Sequence, residues 1–156
     1  MVTRKKKASK FLELMDAASA YITEEKPKSE SPEDIARVMR PLTQDLTQES
    51  FFIVLLNTKN RILSIEAVTT GLVDRAPIHA REAFRMAIVQ NASRIVLVHN
   101  HPSGDPTPST QDIACTRQLV EAGKIIGIEV IDHVVLGEKT ESRYKDYISF
   151  REEGLI

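Results

Sequence analysis

The chain has 156 residues, of which 42% are hydrophobic and 28% charged. That suffices for one globular domain with a real core, and it excludes collagen-like, mucin-like and wholly disordered chains. The net charge of −1 hides an asymmetry: residues 1–10 hold five Lys/Arg and no acid, leaving 16 basic against 22 acidic side chains in the rest. A mildly acidic body is not the basic surface expected of a DNA-groove binder. The Lys5-Lys6-Lys7 segment reads first as a solvated terminus. No apolar run approaches the ~18–20 residues that span a bilayer, so no membrane partner is expected. No apolar stretch and small-residue cleavage site follow the basic start, so no secretory signal is expected. The single Cys115 suits a reducing cytoplasm.

Phe11, Leu14, Met15, Ala18, Tyr21 and Ile22 recur at helical spacing. The polar stretch EEKPKSESPED, with Pro27 and Pro32, reads as a linker. Residues 1–35 are therefore taken as a basic tail, an amphipathic helix and a linker, and residues 36–156 as the folded domain. Ser31-Pro32-Glu33-Asp34 has the form of a helix start: an N-cap, proline at the first helical position, and acids facing the dipole. Ile35, Val38, Met39 and Leu42 continue that helix, which should end near Pro41.

Phe51–Leu56 is an uninterrupted apolar run, a strand buried on both faces. Asn57-Thr58-Lys59-Asn60 turns the chain, and Ile62–Val68 is the hairpin partner. Residues 78–91 have helical spacing through Ala83, Met86 and Ala87. Ile95–Val98 is a second fully apolar strand, running into His99-Asn100-His101-Pro102-Ser103-Gly104. A proline-rich loop, a helix over Thr110–Lys124 and a strand over Ile128–Leu136 complete the pattern. Interleaved strands and helices place the chain in the α/β or α+β class, with one central sheet under helices.

The segment 95–112 carries the chemistry. Strand residues i and i+2 face the same side, so His99 and His101 can converge where the apolar strand ends. Pro102, Pro106 and Pro108 stiffen the loop that follows, and Asp112 lies in the first turn of the next helix. Two imidazoles and a carboxylate suit a borderline divalent ion such as zinc, with a fourth position left open for water. The same residues admit a plainer reading. Ser109-Thr110-Gln111-Asp112 also has the form of a capping box with Asp in place of Glu.

His99-x-His101-Pro102, six residues, Ser109, two residues and Asp112 resemble the JAMM (MPN+ or JAB) metalloprotease motif without a spacing error. The wider context is similar to the RadC branch of that superfamily: His99 to Pro106, Asn57 with Lys59-Asn60, Gly71, Arg81-Glu82, Asp132-His133, and Ser149-Phe150-x-Glu152-x-Gly154-Leu155. The resemblance covers about residues 36–156. It departs at Ala80, where proline is common, and at Tyr144–Tyr147, which looks like a slightly longer final loop. Many members also carry an N-terminal helix-hairpin-helix region, for which the residues ahead of the core are expected to leave no room.

The resemblance implies the JAMM (cytidine-deaminase-like) α/β fold, a mixed central sheet flanked by helices. It implies zinc held by His99, His101 and Asp112, with Ser109 steadying a tetrahedral oxyanion. It places the general acid/base at Glu49, the acid just ahead of Phe51–Leu56. Glu66 on the partner strand is the competitor, and Glu82 a third acid. Asp132-His133 falls in an apolar strand and reads as core or as support behind the metal. His79 reads as exposed near a helix start, Arg81-Glu82 as an ion pair, and Cys115 as a buried inert residue. The implied activity is hydrolysis of a peptide or isopeptide bond in a protein substrate. The alternative is a non-catalytic, metal-containing module tied to DNA repair or nucleic-acid processing, for which the basic tail is the only sequence support.

Overall fold

The computed structural model describes Glu13, residues 26–71 and residues 78–156. The basic segment and, Glu13 aside, the helix read over residues 11–22 lie outside the described residues. Helix α1 spans Pro32–Thr43. Ser31 caps it from an extended conformation: the Asp34 N–H donates to Ser31 Oγ, and Asp34 Oδ2 accepts the Ser31 N–H at 3.0 Å. The helix does not end near Pro41 but runs through it. Proline there removes one bond, to the Arg37 carbonyl, while Leu42 and Thr43 are buried and hold the last turn on the sheet. The Gln44 N–H closes that turn on the Arg40 carbonyl at 2.9 Å. The polar stretch ahead of α1 is also tied down. The Ser29 N–H donates to the Asn60 carbonyl at 2.8 Å, and the Ile62 N–H to the Pro27 carbonyl at 2.9 Å. Composition reports polarity, and it is silent on which backbone groups pair.

Five strands form one mixed sheet in the order β2-β1-β3-β4-β5. They are β1 (Ser50–Leu56), β2 (Ile62–Thr70), β3 (Arg94–Asn100), β4 (Glu129–Leu136) and β5 (Tyr147–Ser149). The pairs β1–β2, β1–β3 and β4–β5 are antiparallel, and β3–β4 is parallel. Asn57 builds the first turn: its side-chain oxygen accepts the Lys59 and Arg61 N–H groups, and Asn60 takes φ 57°. Helix α2 (Ala80–Val89) precedes β3, and α3 (Thr110–Ile126) crosses from β3 to β4.

Every residue of β1 is buried, because both faces of the sheet are covered. Phe52, Val54 and Leu56 pack with Ile35, Val38, Met39 and Leu42 of α1. Phe51, Ile53 and Leu55 pack on the other face with Ala83, Phe84 and Ala87 of α2 and Leu119 of α3. Each Val, Leu, Ile, Met or Phe among them contributes about 1.5–3 kcal/mol on burial. The mixed sheet flanked by helices is the architecture the resemblance implies, with three helices among the described residues. The loop expected over Tyr144–Tyr147 covers residues 144–146 and gives way at Tyr147 to strand β5. Tyr144 is exposed, but Tyr147 is buried in the strand and the following Phe150 is fully buried. No helix among the described residues is long and apolar enough to cross a membrane.

Candidate metal centre

The antiparallel pairing of β1 and β3 brings the C-terminal end of β3 beside the start of β1, with His99 opposite Phe51. The Phe51 ring stacks on the His99 ring at 5.9 Å between centroids and 13° between planes. His101 follows just past the strand. The loop 102–108 then returns the chain so that the first turn of α3 points Asp112 at the same place.

Four side chains meet there. One ligand atom from each of Glu49, His99, His101 and Asp112 lies within 4.8 Å of all the others. The Nε2 atoms of His99 and His101 are 2.8 Å apart. Asp112 Oδ1 lies 3.3 Å from His99 Nε2, Asp112 Oδ2 3.5 Å from His101 Nε2, and Glu49 Oε1 3.7 Å from His99 Nε2. Exposure grades across the cluster: His99 is 1% exposed, His101 and Asp112 15%, and Glu49 43%. The histidine pair forms a floor and Glu49 stands at the rim.

The electrostatics suit a cation between these groups. The two Nε2 atoms, 2.8 Å apart, can share a hydrogen or both turn their lone pairs to a cation. Burial works to lower the His101 pKa, but the Asp112 carboxylate and the Asp105 carbonyl outweigh it and raise it. Burial works to raise the Asp112 pKa, but its bonds to His101 and His99 outweigh that and hold it well below the usual carboxylate range. The Asp105 carbonyl, 2.7 Å from His101 Nδ1, can only accept, so that nitrogen carries a hydrogen. His101 is thereby directed to bind through Nε2. Two imidazoles and a carboxylate in this arrangement fit a borderline divalent ion with an open position.

The capping box is present as well. The Asp112 N–H donates to Ser109 Oγ at 3.1 Å, and the Ser109 N–H to Asp112 Oδ2 at 2.7 Å. Cap and cluster member are therefore one side chain, and the cap holds the carboxylate in place. The other acids stand elsewhere. Glu66 accepts from Ser64 Oγ at 2.7 Å and from Gln90 Nε2 at 3.1 Å. Glu82 accepts the exposed His79 N–H at 3.4 Å, with its Arg81 ion pair at 4.0 Å. Cys115 is half-buried against the α2–α3 cluster, where burial pushes its thiol pKa up.

Asn100 and Thr116 carry roles that sequence reasoning missed. Asn100 accepts the Ser50 N–H at 2.8 Å and donates to the Gln48 carbonyl at 3.1 Å. The Gly71 N–H donates to the Glu49 carbonyl at 3.0 Å, so Glu49 is pinned from both neighbouring strands. The signal was present: Asn100 lies between the two histidines, so its side chain takes the other face. Thr116 lies four residues after Asp112 on α3, the spacing that places it one turn deeper toward the sheet. His133 is fully buried behind His99. The Asp132 carboxylate accepts from Ser149 Oγ at 2.6 Å and from the Arg151 N–H at 3.0 Å, and the Phe150 ring packs 4.5 Å from the His133 ring. The C-terminal signature residues thus form the back wall of the site.

A family model described as the RadC-like JAB domain matches residues 29–155. Among curated relatives, UPF0758 proteins of Methanosarcina mazei and Desulforamulus reducens are 38% and 41% identical, covering 92% and 93% of this chain and 60% and 61% of their own. One from Caldanaerobacter subterraneus subsp. tengcongensis is 49% identical over 69% of this chain and 46% of its own. The chain spans about three-fifths of the length of the first two, and these names state no activity.

Proposed function

This chain belongs to the RadC-like JAB domain family, and from that premise we propose that it is a zinc-dependent hydrolase of peptide or isopeptide bonds. The observation that carries the reading is the convergence of Glu49, His99, His101 and Asp112 on one partly open point. His99, His101 and Asp112 would hold the ion. When bound, zinc would lower the pKa of a water toward ~7 and polarise the scissile carbonyl.

The remaining chemistry belongs to the chain. Glu49 stands at the solvent rim, where it can take the water's proton and return it to the leaving amine. The Ser109 oxygen already accepts the Asp112 N–H, which leaves its own hydrogen free to donate to a developing oxyanion. Burial of His99 beneath the Phe51 ring keeps bulk water from the inner side of the site. The substrate is proposed as a peptide or a protein conjugate in the cytoplasm, a setting that the lone cysteine supports.

The test uses zinc-loaded protein and a panel of fluorogenic peptides and isopeptide-linked conjugates, with and without a chelator. The expected result is chelator-sensitive cleavage that falls about 10²–10⁴-fold in Glu49→Gln while zinc is retained. Failure of stoichiometrically loaded protein to cleave any substrate would refute the hydrolase reading. Loss of zinc from Glu49→Gln would make Glu49 a ligand rather than a base.

A further inference from the structure

Behind His99 runs a buried chain of polar groups that hydrolysis itself does not use. His133 Nε2 lies 2.8 Å from His99 Nδ1. His133 Nδ1 lies 2.5 Å from Thr116 Oγ1. Thr116 Oγ1 in turn lies 2.6 Å from the Asp112 carbonyl oxygen. Thr116 and His133 are both fully buried, so no water competes for these contacts.

Each bond sets the direction of the next. A carbonyl has no hydrogen, so the Thr116 hydroxyl hydrogen lies on its contact with Asp112. The hydroxyl oxygen can then only accept from His133, which must carry its hydrogen on Nδ1. His133 is fully buried with no carboxylate among the described residues bonded to its ring, which favours the neutral imidazole. A neutral imidazole carries one N–H, so His133 Nε2 is a bare acceptor. His99 therefore donates from Nδ1, and its Nε2 lone pair faces His101 and Asp112. The rings of Phe51 and Phe150, 5.5 and 4.5 Å from the His133 ring, hold its orientation.

We propose that His133 and Thr116 are positioning residues that commit His99 to metal binding through Nε2. The inference rests on the metal-centre part of the reading above and not on hydrolysis. The chain closes on itself: it starts at Asp112, passes through Thr116, His133 and His99, and returns to the Asp112 carboxylate 3.3 Å away. One hydroxyl on α3 thus registers a strand ligand against a helix ligand. On the other side of the site, the Asp105 carbonyl does the same for His101. Both imidazoles are aimed before any ion arrives, which is the role outer hydrogen bonds play at metal centres.

The test reads ring protonation by long-range ¹H–¹⁵N NMR on zinc-loaded protein, and zinc affinity by chelator competition. The expected wild-type result is a hydrogen on Nδ1 of both His99 and His133 and none on His133 Nε2. Thr116→Val keeps the shape but removes the hydroxyl. It lets His133 carry hydrogen on Nε2, donor against donor with His99, and zinc affinity should fall about 10–100-fold. Thr116→Ser should restore both readouts. A purely structural role would lower the melting temperature of Thr116→Val and leave the tautomer and affinity unchanged, which would overturn the proposal. Zinc bound by the wild type with His133 protonated on Nε2 would overturn it as well, without touching the metal centre. Wild-type protein that takes up no zinc would fail the metal-centre reading itself.

Discussion

Asp112→Asn separates two tasks performed by one side chain. Its Oδ2 caps α3 by accepting the Ser109 N–H at 2.7 Å, and its carboxylate faces both histidines. The amide oxygen of asparagine can keep the cap. The charge is lost, and an NH₂ group turns toward His99. In metal-free protein the helix-dipole part of the cost should be about 0.3–1 kcal/mol, and the lost contacts to His99 and His101 add to it. With zinc at about 1,000 times its dissociation constant, wild type gains about 4.1 kcal/mol. At about 2–4 °C per kcal/mol for a domain of this size, that is a rise of about 8–16 °C in Tm. Removing a direct ligand should weaken binding by at least the ~100-fold that marks the upper range for outer groups. The same zinc concentration then adds about 1.4 kcal/mol, a rise of about 3–6 °C. Thermal unfolding with and without zinc, beside chelator competition, measures both quantities. An undiminished zinc-induced shift in Asp112→Asn would refute the ligand assignment and leave Asp112 as a cap alone.

Two glycines make a matched pair. A Cβ on Gly137 would lie 2.4 Å from the Gly104 carbonyl and 2.7 Å from Pro106 Cδ, pressing on the loop whose Asp105 carbonyl holds His101. A Cβ on Gly123 would lie 2.5 Å from the Ile128 carbonyl, at the other end of α3. Both Gly→Ala variants should lose about 1–3 kcal/mol in denaturant titration, but Gly137→Ala alone should also weaken zinc binding. Ser109→Ala should cost about 1 kcal/mol as a lost cap and about 10²–10³-fold in kcat with zinc retained, measured by steady-state kinetics and elemental analysis. Asp146 makes a two-point bond with Arg40, which holds its pKa below the ordinary carboxylate value despite opposing burial. A depressed folded pKa gives stability that is present above the unfolded value, ~3.9, and is lost as pH falls through the folded one. Asp146→Asn should therefore be less stable than wild type by about 1 kcal/mol at pH 7, with the gap closing below about pH 4 in thermal unfolding.

The legible parts of this chain were those with period and spacing. The apolar runs of β1 and β3 announce strands covered on both faces, and the structure covers them. The His99-x-His101 pair at a strand end, with Asp112 a fixed loop away, points to one location, and the structure brings these residues together with Glu49. Helix α1 is readable from its cap, yet Pro41 lies within it, because two buried residues beyond the proline outweigh one missing bond. Strand β5 has only three residues, too few to show alternation. Spacing gives Thr116 and Asn100 a face, one turn after Asp112 and opposite the two histidines, but not their partners. A threonine in a helix and an asparagine at a strand end name no contact, and those contacts appear only when α3, β1 and β4 meet. The cap and ligand readings of Ser109–Asp112 compete in the sequence; in the structure the cap is formed, and the same carboxylate also lies in the cluster with Glu49, His99 and His101.

The most direct test of the account is metal content by elemental mass spectrometry, on protein purified without chelator or nickel resin, beside a His99→Ala/His101→Ala double variant. The account predicts about one zinc per chain in wild type and none in a double variant that remains folded. Wild-type protein that holds no metal and takes up none on addition of zinc would contradict it, and would leave the four converging side chains as a hydrogen-bonded cluster without an ion.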